Sequence, residues 1–282
     1  MPAAVLLAVA GGLTTAPMHT RETGNSGRKY VLLSLITSLL VTPNSDAGRP
    51  LTIDDAGLVA RGEFELEAAV SYSHDGPLRH WDFPLALAYG AASRWEIGVA
   101  SGGQLEERAE LESDDRLVTG LSDVVLGTKL KFADQENLGA DHAAALSLKL
   151  PTTHRRKGLS TGEVDYDLTW IASRRVTEKT TLHLNIGYTW LTDPPRESLD
   201  DLLHYGFAIT HKISDQIELV AEVFANTPPE RAQMTDIFVN GGLRWQAAPN
   251  LVLDAAVGAG IRGETPDITA TFGFTWAFGL NR

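Results

Sequence analysis

From about residue 60 onward, apolar and polar side chains alternate with a period of two. That spacing sets one face of an extended strand against an apolar medium and the other against water. The first run carries Phe64, Leu66, Ala68, Val70 and Tyr72 on one side and Glu63, Glu65, Glu67, Ser71 and Ser73 on the other. A helix, with its period of 3.6, would mix the two sets. The pattern recurs about twelve times before the chain stops at Arg282.

The second and third runs place Trp81, Phe83, Leu85, Leu87 and Tyr89, then Trp95, Ile97 and Val99, on the apolar face, joined by AASR. Residues 103 to 118 read as a long acidic loop carrying Glu106, Glu107, Glu110, Glu112, Asp114 and Asp115. Next come Val124, Leu126, Leu130 and Phe132 against Asp123, Lys129 and Lys131, and then Leu146, Leu148 and Leu150 around Lys149, closed by Pro151. The two clearest runs set Tyr166, Leu168 and Trp170 against Asp165 and Asp167, and Leu184, Ile186, Tyr188 and Trp190 against His183 and Asn185. The remainder oppose their apolar faces to His204, Glu218, Glu222, Asn240, Arg244 and Asp254, and the last run is aromatic, with Phe272, Phe274, Trp276 and Phe278.

Strands of ~10 residues cross a bilayer when tilted, and in lipid they must close on themselves to satisfy their backbone groups. The expected fold is therefore all-β, a closed antiparallel transmembrane β-barrel of about 12 strands. A soluble sandwich also alternates, but it turns its apolar face inward and has less use for evenly spaced long strands. Connections that are mostly short (AASR, ADQENLGAD, RRVTEKT, ISDQ, QAAPN), with ADQENLGAD the exception in length, alternate with longer ones at 103–118, 151–163 and 192–201, which sets the short turns and both termini on the periplasmic side. Trp81 and Trp190 then fall at outer ends and Trp95, Trp245 and Trp276 at inner ends, as an aromatic girdle requires, while Trp170 lies nearer the middle.

The amino terminus reads as an export signal. Residues 30–41 are apolar, follow Arg28 and Lys29, and precede Ser45-Asp46-Ala47, a small-x-small cleavage site. Residues 1–47 are expected to be leader and cleaved signal, with either Met1 or Met18 as initiator, 48–60 a periplasmic segment, and 61–282 the barrel. The full chain has 24 basic and 36 acidic residues, and removing residues 1–47 leaves 21 and 34, a net charge of −13. Nucleic acid is thereby excluded as a partner, since phosphate binding needs clustered Lys and Arg. The absence of cysteine excludes disulfides and thiolate metal sites.

The inward polar set, Glu63, Glu65, Glu67, Asp123, Lys129, Lys131, Lys149, Asp165, Asp167, His183, His204, Glu218, Glu222, Arg244 and Asp254, is the candidate pore lining. A self-satisfied plug of acid–base pairs is the alternative use of the same residues. Asp54 and Asp55 precede the first strand, and a periplasmic tether is favoured over a small luminal plug or a cation site built with loop carboxylates. No catalytic residues are expected: His183 and His204 face inward, His74, His80 and His154 lie in or beside loops, His211 faces outward at the inner end, and no serine motif accompanies them. No cofactor or metal is expected either.

Two stretches, RPLTIDDAGLVARGEFELE at 49–67 and GLSDVVLGTKLKF at 120–132, resemble a family of outer-membrane proteins linked to transport and to the meta-pathway of phenol degradation. Asp54, Asp55 and Asp123 are the matching motif positions. The resemblance implies a roughly twelve-stranded barrel in the outer membrane of a Gram-negative bacterium that passes small solutes, hydrophobic or aromatic ones among them. The alternative is a structural barrel with a closed polar lumen. The partners expected are outer-membrane lipid and lipopolysaccharide, the barrel-assembly machinery, which reads the aromatic last strand, and an unidentified small-molecule solute. A barrel should co-sediment with outer membranes and migrate anomalously on gels when unheated. A chain that stays soluble and migrates identically with and without heating would refute this reading.

Overall fold

The computed structural model describes residues 48–108, 117–153, 159–195, 198–229 and 234–279. The leader with its cleavage site, the acidic residues Glu110, Glu112, Asp114 and Asp115, and His154 lie outside the described residues. The strands are β1 (Glu63–Asp75), β2 (Leu78–Ala92), β3 (Trp95–Arg108), β4 (Leu117–Leu121), β5 (Val124–Ala133), β6 (Asp141–Leu150), β7 (Asp165–Arg175), β8 (Thr180–Trp190), β9 (Leu202–Lys212), β10 (Ile217–Asn226), β11 (Asp236–Ala248), β12 (Leu251–Arg262) and β13 (Ile268–Gly279). A single helical turn, α1 (Gln135–Leu138), interrupts the connection between β5 and β6.

Each strand pairs antiparallel with its sequence neighbour, and β13 returns to β1 in unbroken register from Glu63 opposite Gly279 to His74 opposite Ile268. The short β4 and the longer β5 are two halves of one stave. Gly103–Glu107 of β3 pair with β4, and Trp95–Ala100 of the same strand pair with β5. The result is a closed twelve-strand antiparallel barrel, in which the short β4 is paired on one side, with β3, among the described residues.

The stave breaks at Ser122-Asp123, and Asp123 shows why. Its carboxylate accepts the Thr153 N–H at 2.8 Å and the Ser160 hydroxyl, tying the connection between β6 and β7 back to the barrel. Leu159, Ser160 and Thr161 of that connection are buried.

Alternation along the strands is expressed as a division between outside and inside. All six tryptophans are 37–46% exposed, and Leu85, Phe207, Leu219 and Phe272 are 45–60% exposed, whereas the intervening polar residues are buried. A sandwich would show the reverse. Along the seam where the ends of the sheet meet, Phe64 packs on Tyr89 and Phe278 with ring centroids 4.7 and 5.6 Å apart, and Trp276 lies 4.8 Å from Phe278.

Both described termini of the barrel lie at the end where β2–β3 and β11–β12 are joined by two-residue turns. At that end Arg94 and Lys131 both pair with Asp134, and together they hold its carboxyl below the usual carboxylate range. The longer connections after β6, β8 and β10 crowd the opposite end.

Two local expectations change. The acidic stretch from 103 does not start as a loop: β3 runs on to Arg108 beside the equally long β2, with Glu106 inward and buried. His80, expected beside a loop, lies within β2 for the same reason and faces the interior, where its Nε2 is 2.9 Å from Asp82. Deleting Phe272–Phe278 would remove the core of β13 and open edges on both β1 and β12. No heat-modifiable barrel should then form, and normal assembly of the deletion variant would refute this account of closure.

Candidate functional site

The interior of the barrel holds a piece of the chain itself. Residues 48–56 and Val59 are buried, and they cross the lumen instead of extending away from it. The sequence favoured a periplasmic tether for this segment. The structure places it where the alternative reading put it, inside the wall, because its backbone finds there the partners that an isolated extended segment lacks.

Starting from the barrel end at Arg61, which bridges to Gly90, the segment docks on one strand after another. Val59 N–H donates to Glu96 of β3 at 2.7 Å, and Ala56 N–H to Ser173 Oγ of β7 at 2.9 Å. Asn185 of β8 clamps Asp54 on both sides, accepting from its N–H at 2.8 Å and donating to its carbonyl at 2.7 Å. The carboxylate of Glu222 on β10 accepts from Thr52 N–H at 2.6 and 2.8 Å and from Ile53 N–H at 3.0 Å. Asn240 of β11 donates to the Pro50 carbonyl at 2.8 Å, and Arg244 donates to the carbonyls of Gly48 and Arg49. Wall side chains thus do for the segment what neighbouring strands do for a sheet.

Ion pairs fix its two ends. Arg49 binds Asp254 of β12 at 3.0 Å and donates to Thr271 of β13 at 2.9 Å. Lys129 of β5 donates to Asp54 at 3.3 Å and lies 3.6 Å from Glu96. Asp55 takes a different role, accepting the Gly57 N–H at 2.5 Å to turn the chain. Space is cleared for the segment by glycine: a Cβ on Gly206 would stand 2.3 Å from Ile53 Cγ2, and one on Gly90 would stand 2.1 Å from the Ala60 carbonyl.

Apolar contacts complete the seat. Ala56 and Val59 pack against an inward patch of Ala86, Ala88, Ala100, Val125, Ala143, Ala145 and Ile171. Leu51 and Ile53 pack against Ala208, Val220 and Phe224. The bore is therefore not uniformly polar, as its candidate lining suggested.

Of the fifteen inward candidates, thirteen are buried in the interior. Glu63 and Lys131 are half-buried at the rim, where Lys131 pairs with Asp134 and Asp141 at 3.2 and 3.1 Å. The others sort into linked groups. Glu222, Lys129, Arg244 and Asp254 hold the segment, and Glu218 pairs with Arg244 at 2.6 Å. Lys149 pairs with Asp165, and Asp167 accepts from Thr189 at 2.7 Å and lies 2.7 Å from His204 Nε2. His183 Nδ1 is 2.9 Å from Ser173 Oγ. Glu65 and Glu67 are fully buried on β1, and Asp123 anchors the inward connection. No histidine stands with a serine and an acid in a hydrolytic arrangement among these contacts.

Sequence reasoning passed over Arg49, Asn185, Asn240, Ser173 and Glu96 as site residues. Parity alone could have found Glu96, which sits between the outward Trp95 and Ile97. Arg49 stood in the RPLTIDD stretch, one place before its proline. Its buried partner Asp254 lies 205 residues away, and no local pattern announces that pairing.

Residues 47–278 match the family described as "Putative MetA-pathway of phenol degradation". The chain belongs to this family. Its fold is similar to that of the COG4313 outer membrane channel from Pseudomonas putida F1, with a TM-score of 0.64 and 14% identity over 80% of this chain and 100% of that one. The NanC porin aligns at a TM-score of 0.53 and 12% identity over 75% of this chain and 98% of its own. The KdgM porin aligns at 0.51 and 10%, over 76% and 99%. At these identities the likeness is one of fold, that of outer-membrane barrels. No curated protein sequence matches the chain.

Removing one partner of a buried ion pair strands the other at a cost of about 3–5 kcal/mol, whereas replacing both with apolar residues is close to neutral. Asp254→Ala should therefore release the segment. Limited proteolysis of the refolded barrel should then cut within residues 48–60, and Arg49→Met combined with Asp254→Leu should restore protection. Equal resistance of Asp254→Ala and the parent would refute the anchoring role.

Proposed function

We propose that this protein is an outer-membrane channel for small molecules whose lumen is closed at rest by its own amino-terminal segment, residues 48–59. One observation carries the reading: the segment is fastened by side chains to eight strands and crosses the lumen, yet it contributes no strand to the wall. A barrel that only needed a filled interior could fill it with large inward side chains, as narrow barrels do. Here the patch that meets Ala56 and Val59 is mostly alanine, and glycine clears space for the segment at Gly90 and Gly206. Family membership supports a solute of the phenolic type, small and aromatic with one polar group. The mixed lumen suits it, since such a molecule needs both apolar contact and hydrogen-bond partners.

Export by the apolar amino-terminal signal, insertion through the barrel-assembly machinery and contact with lipopolysaccharide complete this reading, with the short-turn end in the periplasm of a Gram-negative cell. The chain carries out no chemistry of its own in it. The alternative, a structural barrel, draws on the number of ion pairs closed within the lumen.

Planar-bilayer recordings on refolded protein separate the two. The chain with residues 48–59 should give small, infrequent openings, and the variant lacking them should conduct continuously, with at least tenfold higher mean conductance. Liposomes bearing that variant should admit phenol faster than liposomes without protein. If neither form conducts and neither speeds phenol entry, the channel reading is wrong and the structural one stands.

A further inference from the structure

Charge is stable inside a protein only where opposite charge or enough dipoles meet it. The interior described here departs from that balance. Fourteen buried carboxyl groups face four buried lysine and arginine side chains, Arg49, Lys129, Lys149 and Arg244. Counting His80, His183 and His204 as cations still leaves two acids for each base. All four permanent cations are already engaged, by Asp254, by Asp54 and Glu96, by Asp165 and by Glu218 respectively.

The deficit is sharpest on β1. Glu65 is 0% exposed, and among the described residues neither of its carboxylate oxygens has a hydrogen-bond partner. Glu67, two residues further along the same inward face, is also 0% exposed, with Thr275 Oγ1 donating to one oxygen at 2.9 Å and nothing to the other. The wall beside them supplies one donor side chain at their own level, Thr275: Glu65 stands opposite Ala88 and Ala277, and Glu67 stands opposite Ala86 and Thr275. Asp55 of the plug and Glu63 add negative charge within reach of Glu65, and Asp254 does so for Glu67. Lys129 and Arg49, the cations acting on the two, are committed as described.

We propose that Glu65 and Glu67 form a cation-binding site that takes a hard inorganic ion with part of its water shell. Carboxylate oxygens prefer such ions. Among the described residues no three His, Asp or Glu side chains stand at metal-ligating spacing, so the ion is held by the charge of the pair and keeps waters of its own. Further along β1 from Glu67 lies a polar recess lined by Ser71, Ser73, Asp82, Asn240 and Thr271. The site requires the seated plug, whose Asp55 lies beside it, but it does not require that the barrel conduct.

The test is the unfolding temperature of the refolded full barrel, read as loss of the heat-modifiable band. It is run in potassium chloride, in calcium chloride and in N-methylglucamine chloride at equal ionic strength and pH. The parent should unfold several degrees higher with potassium or calcium than with the bulky organic cation, and calcium acting at lower concentration would mark a divalent site. Glu65→Gln with Glu67→Gln should abolish that difference and raise the temperature in N-methylglucamine. Should the double variant not fold, Glu67→Gln alone should reduce the difference. A parent with the same unfolding temperature in all three salts, or a double variant that keeps the parent's dependence, overturns the proposal. Dependence on pH without dependence on the cation would overturn it too, and would assign the site to protons.

Discussion

A strand in hydrocarbon has only its neighbours to take up its N–H and C=O groups. Everything in this molecule descends from that constraint. It forces the sheet to close, which the pairing of β1 with β13 achieves over twelve residue pairs. Closure at twelve staves then fixes a bore between that of the eight-stranded barrels filled by their own side chains and that of the wide porins of sixteen strands or more. In this chain a segment only a few residues upstream of the first strand crosses it.

The same rule governs how that segment sits. An irregular backbone at membrane depth is tolerated only where protein or water satisfies it. Glu222, Asn185, Asn240, Ser173 and Glu96 act as substitute strand neighbours, each meeting one or two main-chain groups. These residues are buried, polar and far apart in sequence, yet they share one face of the sheet by parity. A wall of alternating residues presents such a face at no extra cost.

Legibility followed periodicity. Strand identity, the outward set and the sense of closure could be read from alternation, because each strand meets two solvents and its residues record which is which. Thirteen of the fifteen proposed inward residues are buried for the same reason. The broken stave at Ser122-Asp123 was not legible, since it answers to contacts with Thr153 and Ser160 some thirty residues on. The plug was legible only as the disfavoured alternative to a periplasmic tether. Its sequence has no period, and its seat is assembled from glycines and alanines on strands spread over nearly the whole chain. Gly206 is an example: nothing nearby says that Ile53, some 150 residues earlier, needs its missing side chain. Length misled as well, for the acidic run after residue 103 looks like a loop until its partner β2 proves equally long.

The plug and β1 are one continuous chain, joined through Arg61 and Gly62 at the barrel rim, where Gly62 N–H donates to the Gly90 carbonyl at 2.8 Å. A segment tethered so closely has an effective concentration in the lumen on the order of millimolar or more, whatever the abundance of the protein. A segment so tethered would leave and return by intramolecular steps, independent of any partner's supply. Occupancy of the bore is then set by a local equilibrium constant alone, so that one barrel in isolation behaves as any other in a crowded membrane.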